Sequence, residues 1–145
     1  MRTFTITAGA LLLASIAYAH VTVMPRESQA GAEQRYTVRV PTEGQVSTTA
    51  VELEVPADVA IVRVEPGEGF TFETRREGDR IVSITWTREI PPRQSADFAF
   101  VARNPTAAQI TWKAHQRFAD GTSADWVGVV GDRRPAAVTV LATPK

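Results

Sequence analysis

An all-β sandwich is what this sequence predicts. Short runs alternate apolar with polar residues, as strands with one buried face do. Turn residues interrupt them every eight to twelve residues or so. No stretch of useful length shows a helical period, and the nine prolines and nine glycines fall mostly between the runs.

The elements follow in order. Residues 1–19, MRTFTITAGALLLASIAYA, place Arg2 before a short apolar stretch and close on Ala17-Tyr18-Ala19. Small residues at −3 and −1 after a basic start are the layout of a cleaved export signal. The apolar part is too short to span a bilayer, which takes about 20 residues. Cleavage after Ala19 would make His20 the new amino terminus. The expected domains are thus a signal peptide over 1–19 and one β-domain over 20–145.

HVTVMP reads as a brief first strand stopped by Pro25, and the following MPRESQAGAEQ reads as a surface connection. QRYTVRVP alternates Tyr36, Val38 and Val40 against Arg35, Thr37 and Arg39. TTAVELEVP sets Val51, Leu53 and Val55 on one face and Glu52 and Glu54 on the other. VAIVRVEP is a further strand, and FTFETRREGDRIVSITWT reads as a hairpin with Gly78-Asp79 near its tip. ADFAFVARN and ITWKAHQRF follow as one strand each. Asp120-Gly121 turns the chain into SADWVGVV, and AAVTVLA is the last strand, for nine or ten in all. Trp86 runs in register with Val82 and Ile84, and Trp112 with Ile110 and Ala114, so both are expected in the core. Trp126 shares a face with Gly128 while Val127 and Val129 take the other, which points to a tryptophan at the surface or at a site.

Composition narrows the function. Removing 19 of 145 residues leaves 126, enough for one domain with a real core. Arg2 leaves with the leader, so 15 basic residues face 16 acidic ones. Without a basic surplus, nucleic acid and anionic membrane are poor partners. The chain has no cysteine, so disulfides and thiolate chemistry are excluded. Met24 is the one methionine left after cleavage, which excludes a Met-rich cuprous site. The closing VTVLATPK carries no second apolar span, so no membrane anchor is expected. No G-x-S-x-G occurs, and the two histidines are too few for zinc hydrolysis.

His20 then stands out. A free α-amine has an unperturbed pKa of roughly 8 and an imidazole about 6.5. Both can be neutral donors near neutral pH, and amine plus Nδ1 close a chelate ring on one ion. An internal histidine cannot do this, because its backbone nitrogen is an amide. Planar nitrogen donors suit Cu(II), which heads the divalent affinity order. His115 lies on the polar face of its strand, where a solvated side chain is expected and a second ligand is the alternative. Glu52 and Glu54 point away from the core on theirs.

The mature start HVTVMPRESQAGAEQRYTVRVPTE, the strand TTAVELEVP and the late QRFADGTSADWVG together resemble the YcnI-like family of exported bacterial copper-binding domains. That resemblance implies an immunoglobulin-like β-sandwich with a Cu(II) site of the monohistidine-brace kind. Its ligand set would be His20, a strand glutamate matching Glu52, and Trp126, with Glu54 open as the alternative carboxylate. His115 departs from the family pattern. The implied role is copper homeostasis in the periplasm or after secretion: buffering Cu(II), or passing it to a membrane copper transporter or another copper chaperone, without catalysis. The alternatives are a copper-dependent oxidase or mono-oxygenase, which would need a second histidine, and a metal-free protein-interaction module.

Overall fold

A computed structural model describes residues 20–144. The leader over 1–19 and its expected cleavage point lie outside the described residues. Among those described there are twelve strands and no helix. None of them forms a helix long and apolar enough to cross a membrane.

The strands are β1 (Thr22–Met24), β2 (Glu27–Gln29), β3 (Glu33–Pro41), β4 (Thr48–Glu54), β5 (Ala60–Val64) and β6 (Thr71–Glu77). They continue with β7 (Arg80–Ile90), β8 (Ser95–Arg103), β9 (Gln109–Trp112), β10 (Ala114–Phe118), β11 (Ser123–Trp126) and β12 (Ala137–Ala142). One sheet runs β1-β3-β8-β5 and a second runs β11-β10-β4-β7-β6. A small third sheet, β2-β12-β9, completes the domain.

Alternation explains the core. Tyr36, Val38 and Val40 of β3 and Phe98 and Phe100 of β8 point inward from the first sheet; Val51 and Leu53 of β4 and Ile84 and Trp86 of β7 point inward from the second. Their rings interlock: Trp86 stacks on Phe98 at 5.3 Å, and Tyr36 meets Trp112 edge-on at 5.1 Å. Two polar groups buried with them are paired, which offsets their desolvation, whereas the Trp86 indole nitrogen is buried without a partner. The Tyr36 hydroxyl donates to Asn104 Oδ1 at 2.6 Å, and the Trp112 indole donates to Thr139 Oγ1 at 3.0 Å.

Four features differ from the sequence reading. ITWKAHQRF is two strands, not one: β9 pairs with β12 while β10 pairs with β4, so the chain changes sheets at Lys113. Ile110, Trp112 and Ala114 stay buried in phase across the change, which hides it from alternation. The expected surface connection after β1 contains β2, which lies parallel to β12. SADWVGVV ends as a strand at Trp126, and Val129 and Val130 beyond it are among the most exposed apolar side chains. Trp126 itself is only 7% exposed and belongs to the core, on the same face of β11 as Ala124.

Candidate functional site

β1 is short, but Val21 and Val23 are both buried and β1 pairs with β3 through Val23 opposite Val38. That anchors the start of the domain and leaves His20 half-buried one position before the first valine. The His20 ring lies against Trp126, with centroids 5.6 Å apart and planes tilted by 55°.

Trp126 is held from behind. Its indole N–H donates to Gln116 Oε1 at 3.1 Å. Gln116 Nε2 donates in turn to the Pro41 carbonyl at 2.8 Å and to Thr48 Oγ1 at 2.7 Å. Thr48 Oγ1 is 2.7 Å from Thr42 Oγ1, whose hydroxyl donates to the Ile90 carbonyl. Gln116, Thr42 and Thr48 are all buried. This polar chain ties β10, β3, β4, β7 and β11 together behind the indole and fixes its plane. Gln116 was missed by the sequence reading; its signal is a polar residue in the inward register of β10, two positions after Ala114.

His20, Gln116 and Trp126 line a cavity of about 410 Å³ at one end of the sandwich. Glu43, Asp120, Arg133 and Arg134 line it too. Asp120 accepts from the Thr122 backbone N–H at 3.0 Å and its hydroxyl at 2.6 Å, which holds its carboxyl below the usual range. A second cavity of about 830 Å³ opens on the other side of His20, lined by Val21, Val23, Arg26 and Arg133 among others.

Glu52 is not part of this arrangement. In the register of the second sheet, Leu53, Ala114 and Trp126 lie side by side and face the core. Glu52, His115 and Asp125 are the adjacent row, and adjacent rows point to opposite faces. Glu52 therefore projects from the outer face, across the sheet from His20 and Trp126. The ligand set that the resemblance implies, His20, Glu52 and Trp126, is therefore not brought together, because Trp126 points inward and Glu52 outward. Glu54 is on the outer face as well.

The outer face carries its own cluster. His115 Nδ1 lies 2.7 Å from Asp125 Oδ1, and Nε2 lies 3.0 Å from Glu54 Oε2. Partial burial works against the charged ring, but the two carboxylates outweigh it and raise the His115 pKa. His115 is thus spent on its neighbours and turned away from His20, so the two histidines do not share a site.

Among the described residues no group of three or more histidine, cysteine, aspartate or glutamate side chains is placed to hold a metal ion. The cavity fits a metal only if a further donor is supplied there. The α-amine of His20, once freed, is such a donor, with no geometry beyond that of the residue itself. The indole nitrogen is no σ donor, since its lone pair belongs to the ring. Its face can shield a cation beside the imidazole.

Residues 20–141 match the family described as "Domain of unknown function (DUF1775)". The chain is 36% identical over 144 residues to the copper-binding protein CutI of Bacillus subtilis (strain 168), covering 97% of this chain and 71% of that one. Among solved structures, an uncharacterized protein from Nocardia farcinica with an immunoglobulin-like fold is similar at a TM-score of 0.76 and 30% identity, over 86% of this chain and 99% of that one. A cohesin module of a Clostridium perfringens family 33 glycoside hydrolase shares the fold alone, at a TM-score of 0.51 and 12% identity over 86% of this chain and 98% of that one. The fold is thus the expected immunoglobulin-like sandwich, and the chain belongs to the DUF1775 family, the YcnI-like copper-binding family that its sequence resembles.

Proposed function

We propose that this protein is a Cu(II) carrier or buffer of the cell envelope, exported by cleavage after Ala19 and loaded through the new terminus. The α-amine and imidazole of His20 form the chelate, and Trp126 covers one side of the ion. The carboxylate that the family resemblance places at Glu52 is better supplied from the cavity wall, where Glu43 and Asp120 sit with His20. The observation that carries this reading is the packing of His20 on a tryptophan that five strands hold in place.

A carrier must release its cargo, and this site suits that. Two nitrogens from one residue and a single wall carboxylate leave part of the ion open, and exchange to an acceptor needs such an opening. A transporter in the membrane or another copper chaperone is the natural acceptor class. The oxidase alternative requires a second histidine, and His115 is on the wrong face and already engaged. The metal-free interaction module gains no specific support from the sandwich.

The test is calorimetric titration with Cu(II) of protein beginning at His20, beside protein carrying one extra residue before it. The extended form should lose most of the affinity, and the electron paramagnetic resonance spectrum of the short form should report two nitrogens from one histidine. Equal affinity of the two forms would remove the terminal amine from the ligand set.

A further inference from the structure

We propose that this site takes Cu(II) together with a small carboxylate anion, clamped by Arg133 and Arg134; the inference rests on the copper reading above.

The loop between β11 and β12 is built to present those arginines. Gly128 N–H donates to the Arg134 carbonyl at 3.0 Å, and Ala136 N–H donates back to the Gly128 carbonyl at 2.9 Å. Asp132 N–H donates to the Val129 carbonyl at 3.1 Å, while Asp132 Oδ2 accepts from Val129 N–H at 3.0 Å. The loop thus closes on itself over Gly128. A Cβ at Gly128 would lie 2.5 Å from Asp132 Oδ2 and 3.1 Å from the Arg134 carbonyl oxygen, so only glycine permits this closure. Its result is that two consecutive arginines line the cavity that His20 and Trp126 line.

Among the described residues neither arginine is in a direct ion pair. The arginine ion pairs among the described residues are Arg35–Glu65, Arg39–Asp97, Arg75–Glu77 and Arg103–Glu33, all elsewhere. Asp132, the acid nearest in sequence, spends its carboxylate on the loop backbone. In the cavity itself, Glu43 and Asp120 balance the two arginines in formal charge. A bound cupric ion then adds two positive charges that nothing on the wall cancels. An anion is the natural complement.

Coordination chemistry agrees. Cu(II) favours a tetragonal arrangement of nitrogen and oxygen donors. His20 fills two positions and a wall carboxylate a third, and among the described residues no cluster of three ligating side chains supplies the rest. A carboxylate can give one oxygen to the ion and the other to a guanidinium, whose planar fork matches its geometry. A cavity of about 410 Å³ has the size of a small-molecule pocket.

The experiment uses protein beginning at His20, loaded with one equivalent of Cu(II) in a weakly coordinating buffer. Sodium acetate is the probe, with sodium sulfate as control, and visible absorption and electron paramagnetic resonance are followed. Wild-type protein should show a saturable change with acetate. The double variant R133A/R134A should need about tenfold more acetate for the same change, and R133K/R134K, which keeps charge but loses the fork, should fall between. Far-ultraviolet circular dichroism checks that both variants are folded. A copper-loaded protein indifferent to acetate, or a double variant titrating like wild type, overturns the anion proposal alone. Sulfate acting as well as acetate overturns the carboxylate class. A protein that takes up no copper overturns the copper reading, and this inference with it.

Discussion

Gln116 is the residue on which the Trp126 side of the cavity rests, and Gln116→Met isolates its hydrogen bonds from its bulk. Methionine is also unbranched and of similar length, so packing is largely kept. Three bonds are lost, from the Trp126 indole and to the Pro41 carbonyl and Thr48 hydroxyl. Thr48 keeps its contact with Thr42. The other two groups lose the partner that burial requires, at about 1–3 kcal/mol each. Gln116 borders a cavity, so water can repair part of the loss, and a total of about 2–4 kcal/mol is expected. Against a usual stability of about 5–15 kcal/mol, the variant still folds. Urea unfolding followed by far-ultraviolet circular dichroism should show a lower midpoint at an unchanged slope. Gln116→Glu keeps an acceptor for the indole and loses the donors, so it should unfold at a different midpoint from Gln116→Met. A Gln116→Met protein within about 0.5 kcal/mol of wild type would show that the buried chain does not hold Trp126, and the argument for a fixed indole would fail.

Three further outcomes are expected. Glu52→Gln should leave Cu(II) affinity unchanged, whereas Glu43→Gln should weaken it by roughly tenfold, because only the second removes a charge from the cavity; isothermal titration of both variants decides this. Gly128→Ala should cost about 1–3 kcal/mol in thermal unfolding, since its Cβ has no room beside Asp132 and Arg134. The clamp on His115 should make stability depend on pH: its folded pKa is raised, so the contribution is present in full below about 6.5 and is lost as pH climbs through the folded value. Thermal melts of wild type and His115→Gln should therefore lie furthest apart on the acid side of neutrality and converge in mild alkali, and a constant separation would refute the clamp.

How far the sequence was legible depends on what alternation encodes. It marks two faces of a strand, so β3, β4 and the β6–β7 hairpin were readable wherever one face is core. It does not say which sheet a strand joins, so the change of sheet at Lys113 left no trace. β2 was invisible because its three residues, Glu27 to Gln29, contain nothing apolar. The valines at 127 and 129 imitated a core register while standing exposed beyond β11, and that false register pushed Trp126 to the wrong side of β11. For Glu52 the outward orientation was read correctly. The error was to treat outward as one place, when a sheet has two sides and the Trp126 side is inward. Gln116 could be recognised only once the inward face of β10 was known, because a lone glutamine has no spacing of its own.

Under the proposed cleavage His20 becomes a chain terminus, and its position explains how a terminus could serve as a site. The first residues of most domains are poorly ordered unless something ties them down. Here Val21 and Val23 are both almost fully buried, and each buried valine is worth about 1.5 kcal/mol or more. Fraying past position 21 takes one buried valine out of the core, and fraying past 23 takes a second. The imidazole meanwhile rests on an indole that is itself hydrogen-bonded to the core. A ligand held this way has surrendered most of its freedom before the metal arrives, so ordering costs little at binding. An open two-donor chelate would otherwise be a weak site. Anchoring raises its affinity without closing its remaining faces, and the proposed carrier role needs that combination.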